Sequence, residues 1–508
     1  MAQMRPNILF ITTDEQRFDC LGCYGNPVIR TPHMDRIARE GVRFARGYVQ
    51  NPMCMPSRMS LMTGRYCSEH GVNINCVGLP EHEQSQTFIQ VLKDSGYTTA
   101  AIGKMHMMPK WGPFGFTYLD LVEGKADENN QYIDYLKAKG LNGKQHEAKG
   151  EPGPFGTHTN SLPLEDTIDA FVGRRATRWL KDWEEEQPFF LWVSFSNPHF
   201  PFDPPEPYDT MYDPGEVPAP VWREDEMTTK PTQRQLQLER GYDKATEADL
   251  RRMIAHTYGN ITLVDDQIGE ILKVVEEKGL LDSTMIAFTS DHGDHLGDHR
   301  LLHKSGVTFY DISVRVPYLI RYPARFPQDA VCEALVESID LPATFLDVAG
   351  VEAPRTMQGR SLVGLAEGKL TEWREDAFSE IDLHMNPQMH GPHEPGSRDY
   401  VAMICTREWK YIHFPNLNIG ELYDLVADPQ ELINLYYEPT YQKQVAEMRL
   451  RLLNRFMANQ RPFIGEQTDT FREHYLTDHR PPRPIPGVTY ACGKSRNVTE
   501  EVGYGRDQ

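Results

Sequence analysis

A chain of 508 residues with 39% hydrophobic and 10% aromatic side chains can bury a large core and could hold two or three domains of ordinary size. Its net charge of −20 argues against nucleic acid as a partner and requires a locally positive pocket for any anionic substrate. No basic-plus-apolar leader precedes the first apolar run, and no stretch approaches the ~20 apolar residues that span a bilayer, so a cytoplasmic protein without a membrane partner is expected.

In chain order, Asn7–Thr13 is a short β-branched run ending in Asp14 and Glu15, which reads as a buried parallel strand with acids at its carboxyl end. In open α/β sheets that edge binds ligands. Cys20-x-x-Cys23 lacks a second pair at zinc spacing, and eight cysteines in so long a chain do not suggest a disulfide framework. Thr31-Pro32 opens a helix that Gly41 closes.

Cys54-Met-Pro56-Ser-Arg58 follows, then Thr63-Gly64-Arg65-Tyr66. Pro56 suits the first turn of a helix. Cys54 then sits where unpaired N–H groups and the positive helix end make an anion site, and Arg58, one turn on, adds charge on the same face. Further on, a helix through Phe88 and Leu92 ends at Gly96 and leads to a strand, Tyr97–Ile102, closed by Gly103-Lys104-Met105-His106. Residues 110–165 show no clear periodicity and read as an excursion near the pocket mouth. A helix through Ile168 and Trp179 precedes the apolar run Pro188–Phe195, closed by Asn197-Pro198-His199. Residues 202–245 read as a long loop over the site. Thr246 begins a helix running to Gly279, and the strand Thr284–Ser290 ends in Asp291-His292-Gly293, with Lys304 beyond.

The alternation of strands and helices predicts an α/β body, with a large, mostly parallel sheet and helices on both faces, over residues 1–375. From about 376 to 460 short alternating segments and the helix pattern Gln442–Asn459 predict a smaller subdomain with an antiparallel sheet. Residues 461–508 hold little core-forming material and read as a tail or an oligomerisation arm, so a homo-oligomer is expected. Four strand ends thus bring Asp14/Glu15, Lys104/His106, Asn197/His199 and Asp291/His292 to one edge, and a helix start brings Cys54.

These motifs, in this order over about residues 5 to 460, resemble the sulfatases of the alkaline phosphatase superfamily. The resemblance implies an alkaline-phosphatase-like fold and oxidation of Cys54 to formylglycine by a maturation enzyme that reads Cys-x-Pro-x-Arg. It implies one divalent cation, Ca²⁺ or Mn²⁺, held by Asp14, Glu15, Asp291, His292 and the residue at 54. A nitrogen ligand at His292 favours Mn²⁺ or Zn²⁺ over Ca²⁺. Lys104, His199 and Lys304 would contact the sulfate of a small-molecule ester, His199, alone or with Lys304, would protonate the leaving group, and His106 would take the proton from the second hydroxyl of hydrated formylglycine. Arg58 would help offset the charge of the transferring group. Asp-His at 291–292 also occurs in phosphonate monoester hydrolases, and Asn75 falls where those enzymes contact substrate, so phosphonate monoester or phosphodiester hydrolysis is the alternative. A silent anion-binding protein with an unmodified thiol is the remaining one.

Overall fold

The structure is a computed structural model that describes residues 5–459 apart from 76, 85, 113, 124–129, 185, 371, 383–399 and 416–418. The expected tail, 461–508, lies outside the described residues, while Met1–Gln460 forms one compact unit.

The continuous apolar runs become strands buried on both faces. The large sheet comprises β1 (Asn7–Asp14), β2 (Val42–Tyr48), β3 (Thr98–Gly103), β4 (Tyr118–Leu121), β5 (Phe189–Pro198), β6 (Thr284–Ser290), β7 (Arg315–Val316), β8 (Tyr318–Arg321) and β9 (Ala330–Glu337). Its order is β4-β3-β5-β1-β6-β8-β2-β7, with β9 on β2. The five strands from β4 to β6 are parallel to their neighbours, and β8 runs antiparallel to both β6 and β2. Along β1, Leu9 and Ile11 enter the core under the helices Ile168–Lys181 and Glu247–Glu277, while Ile8 and Phe10 pack with Phe88 and Phe345 on the other face. That two-sided burial is why β1 reads as a run of apolar residues rather than an alternation.

The helix boundaries follow local chemistry. Pro32 occupies the first turn of Pro32–Arg39. Thr246 caps Glu247–Glu277 in a reciprocal capping box with Asp249, satisfying donors that would otherwise be lost at the helix start. The second sheet, β10 (Ala377–Asp382), β11 (Tyr400–Cys405), β12 (Trp409–Phe414) and β13 (Ile419–Asp424), is antiparallel throughout. The helix Gln442–Asn459 covers one face of it through Val445, Met448 and Leu452, and Met403 and Ile412 on the other face pack with Tyr48 and Tyr310. No helix among the described residues is long and apolar enough to cross a membrane.

Several elements were not evident from sequence. β2 carries Arg43 and Arg46, and β9 alternates half-buried with exposed positions, so neither shows a continuous apolar run. Within the stretch 110–165 lie the edge strand β4 and the helix Gln131–Ala138, and within 202–245 the helix Pro231–Arg240.

One glycine is dictated by the site. Gly103 ends β3 at φ +107°, and a Cβ there would lie 1.9 Å from the carbonyl oxygen of Ser194 on β5. Gly103→Ala is expected to cost about 3 kcal/mol or more through strain and the parting of β3 from β5. Chemical denaturation measures this, and an unshifted midpoint would refute it.

Candidate active site

The carboxyl ends of β1, β3, β5 and β6 and the start of the helix Cys54–Thr63 converge on one buried cluster. Cys54 is the first residue of that helix, after the extended N-cap Met53. Asn51 accepts a hydrogen bond from the Met53 N–H (2.9 Å) through its side-chain oxygen, and Asn75 does the same for the Met55 N–H (3.0 Å). Asn75 therefore braces the helix start. Cys54 Sγ lies 3.2 Å from His292 Nε2 and 3.8 Å from Asp14 Oδ1.

Behind these atoms sits Arg58, wholly buried. Its Nε donates to Asp291 Oδ2 (2.7 Å), its Nη2 to Asp14 Oδ2 (3.1 Å), and its Nη1 to the Lys104 carbonyl (2.5 Å) and Ser194 Oγ (2.9 Å). Each nitrogen is thus engaged, and the guanidinium orients the two aspartates. Ser57 Oγ donates to the Asp291 carbonyl at 2.5 Å, and the Glu15 N–H donates to Asp291 Oδ1 at 3.1 Å.

Each of the two lysines pairs with one of the acids. Lys104 Nζ is 2.6 Å from Asp14 Oδ2. Lys304 Nζ is 2.9 Å from Glu15 Oε2, while the Lys304 N–H donates to Glu15 Oε1. His199 Nε2 lies 3.5 Å from Glu15 Oε2, and its side chain is 31% exposed, so it faces the opening. His106 stands after β3 with φ +49°, and the N–H groups of Met105 and His106 both donate to Glu123 Oε1.

The electrostatics favour an anion at position 54. Burial pushes the Cys54 thiol up and Asp14 adds to that, yet Lys304, His292 and a hydrogen bond from His106 hold it well below its ordinary value. Burial would also raise Asp14, but Lys104, His199, Arg58 and Lys304 pull it far down. His292 is opposed by burial and raised to about 10 by Asp291 and Cys54. Lys104 and Lys304 lose solvation on burial, and their anionic neighbours more than restore the charge.

Asp14, Cys54, Asp291 and His292 offer one ligand atom each, all within 4.8 Å of one another. Two carboxylates and one imidazole are a donor set that fits a divalent cation, and Oδ1 of each aspartate is turned away from Arg58, which takes both Oδ2 atoms. Glu15 stands apart from that foursome: both of its carboxylate oxygens are taken by Lys304, and it clusters with Asp14 and His199 on one side and with Asp294 and His303 on the other. The motif residues are thus brought together, with Asn75 and Arg58 bracing and Glu15 pairing a lysine. Sequence reasoning quoted Ser57 within its motif without a role and missed Glu123, Asp169 and Ser194. A serine on a buried strand, such as Ser194, carries no pattern of its own, and the two carboxylates lie outside every motif.

The match to known proteins agrees with this geometry. The sulfatase family model covers residues 6–351, and the model described as N-sulphoglucosamine sulphohydrolase, C-terminal, covers 297–458. An arylsulfatase of Clostridium perfringens is 33% identical over 89% of this chain and 94% of its own. The multifunctional alkaline phosphatase superfamily protein PehA of Trinickia caryophylli is 32% identical over 89% of this chain and 95% of its own. The crystal structure of the phosphonate monoester hydrolase of Agrobacterium radiobacter superposes with a TM-score of 0.79 at 28% identity, covering 90% of this chain and 96% of that one. The chain belongs to the sulfatase family of the alkaline phosphatase superfamily. Within it, the protein is a hydrolase of the sulfatase type, with arylsulfatase relatives in sequence and phosphonate monoester hydrolases among its structural neighbours.

Proposed function

We propose that the protein is a metal-dependent sulfuric ester hydrolase of arylsulfatase type, whose nucleophile is the formylglycine made from Cys54 by a maturation enzyme. The observation that carries this reading is the placement of Cys54 Sγ at a helix N-terminus, 3.2 Å from His292 and 3.8 Å from Asp14, with Lys104 and Lys304 facing the same space. Asp14, Asp291 and His292 would hold the cation together with residue 54. A bound divalent cation supplies positive charge that lowers the pKa of a hydroxyl at residue 54.

The chain's own residues do the rest. Lys104 and Lys304 neutralise the sulfuryl oxygens, whose charge must be balanced as the bond from sulfur to the leaving oxygen breaks. Arg58 acts through Asp14 and Asp291, fixing the oxygens that face the cation. His199, at the opening, gives a proton to the departing oxygen. His106 takes the proton of the second hydroxyl at residue 54, so that sulfate departs and the aldehyde re-forms. A plain serine or cysteine has no second hydroxyl and would stay sulfated.

A phosphonate monoester or phosphodiester activity on the same scaffold is the second reading, supported by the structural neighbour from Agrobacterium radiobacter and by His292 at the metal cluster. Rates on matched aryl sulfates and phenyl phosphonate esters test the order of preference. Faster sulfate release is expected, and a matured enzyme that hydrolyses only the phosphonate would overturn the leading reading. The localisation expected from sequence, and a homo-oligomer, stand as parts of the same proposal. Size-exclusion chromatography with light scattering at working concentration would show a multimer, and a monomer would contradict it.

A further inference from the structure

Two buried carboxylates that belong to no sulfatase motif hold the turns carrying the two histidines. Glu123 follows the edge strand β4, and its Oε1 accepts the N–H groups of Met105 (3.3 Å) and His106 (2.8 Å). Asp169 is the second residue of the helix Ile168–Lys181, and its Oδ1 accepts the N–H groups of Ser196 (2.8 Å) and Asn197 (3.5 Å). Both side chains are buried. The sheet explains the symmetry: Gly103 of β3 pairs with Leu121 of β4 on one side and Ser194 of β5 on the other. Each histidine turn therefore leaves the sheet beside an element that can supply an acceptor.

The two contacts restrain the turns in places where the backbone alone would not. His106 has φ +49°, a conformation that costs a non-glycine residue of order 1–3 kcal/mol and persists only where the surroundings fix it. The carboxylate on its own N–H is the fixing contact. The His199 N–H donates to the Ser196 carbonyl (3.2 Å), so the Asp169 contact with Ser196 and Asn197 sets the base from which His199 projects. One buried oxygen that accepts two successive N–H groups ties both ends of that peptide to a single point, which fixes the direction in which the turn leaves the sheet.

We propose that Glu123 is a positioning residue for His106 and Asp169 a positioning residue for His199, each governing a different half of the catalytic cycle. This rests on the roles proposed above for the two histidines. In the first half, an oxygen at residue 54 bonds to sulfur, the bond from sulfur to the leaving oxygen breaks, and the proton of His199 goes to that oxygen. In the second, His106 takes the remaining hydroxyl proton, the carbonyl at residue 54 re-forms, and the bond from carbon to the sulfate oxygen breaks.

The two alanine variants should therefore fail differently. Glu123→Ala is expected to lower kcat about 10- to 100-fold on good leaving groups, to one value shared by different phenols, with phenol released in a burst ahead of sulfate. Asp169→Ala is expected to lose a similar factor that grows as the phenol becomes less acidic, with no burst. Glu123→Gln and Asp169→Asn keep an oxygen acceptor and should recover most of the loss. Should the alanine variants fail to fold, Glu123→Asp and Asp169→Glu shift the acceptor by one methylene and should show the same split. Imidazole resonances of the resting protein give a readout independent of turnover: Glu123 variants should move His106 alone and Asp169 variants His199 alone. Equal losses across all phenols in both variants, or both histidines moving together, would overturn the proposal. If the wild type released no sulfate from any ester, the proposed function would fail, and the resonances would still decide whether each carboxylate places its own histidine.

Discussion

Replacing Cys54 with alanine is expected to abolish turnover and leave the protein folded. Cys54 makes no hydrogen bond within the backbone ladder of the sheet, and its side chain is small, so the fold loses about 1 kcal/mol. The chemistry would lose its proposed nucleophile, a change of about 10⁴-fold or more in kcat. Cys54→Ser separates the two hydroxyls of the proposed mechanism from one. It retains an oxygen nucleophile beside His292 and Asp14 but has no route to expel sulfate, so it should turn over at most once. Circular dichroism and the melting temperature check the fold, and release of phenol and sulfate, timed separately, checks the chemistry. Sustained multiple turnover by Cys54→Ser would contradict the mechanism.

The second large effect falls on Asp291. Its Oδ2 receives Arg58 Nε and its Oδ1 receives the Glu15 N–H, while burial raises its pKa against the pull of Arg58. Asp291→Ala removes a proposed cation ligand and leaves Arg58 buried with Asp14 as its remaining carboxylate partner among the described residues. Loss of bound metal is expected together with a fall in kcat on the order of 10³-fold, since the charge stabilisation a cation gives is worth several kcal/mol. The broken buried pair should also destabilise the fold by about 3 kcal/mol. Asp291→Asn keeps the shape and an acceptor for the Glu15 N–H, so it should lose metal and activity with less damage to the fold. Elemental analysis of the purified variants decides this, and stoichiometric metal in either would refute the ligand assignment.

The parts of the molecule legible in its sequence are those where one physical cause dominates. β1, β5 and β6 are buried on both faces, so burial alone makes their sequences continuous apolar runs, and the polar residues that end them mark the ligand edge. The helix Glu247–Glu277 announces itself by period and by its Thr246 cap. The large sheet with helices and the smaller antiparallel sheet follow from these patterns and from the sulfatase resemblance. The elements that stayed hidden have mixed causes: β2 carries two half-buried arginines, β4 is a four-residue edge strand, and Pro231–Arg240 is a largely polar helix. Within the site, residue identity was legible but partnership was not. Arg58 shares one helix face with Cys54, yet only the fold shows that its guanidinium bonds two aspartates. Glu15 follows Asp14 in sequence, yet its φ of +70° turns its carboxylate toward Lys304. Glu123 and Asp169 are ordinary acids until the sheet brings them under the histidine turns.

Position 54 is the centre on which the whole account turns. The most direct measurement is the mass of the peptide containing that residue, taken from enzyme that hydrolyses sulfate esters. The account predicts a residue that has lost sulfur and gained an aldehyde oxygen, in proportion to the activity of the preparation. A fully active preparation in which Cys54 remains an unmodified thiol would contradict it.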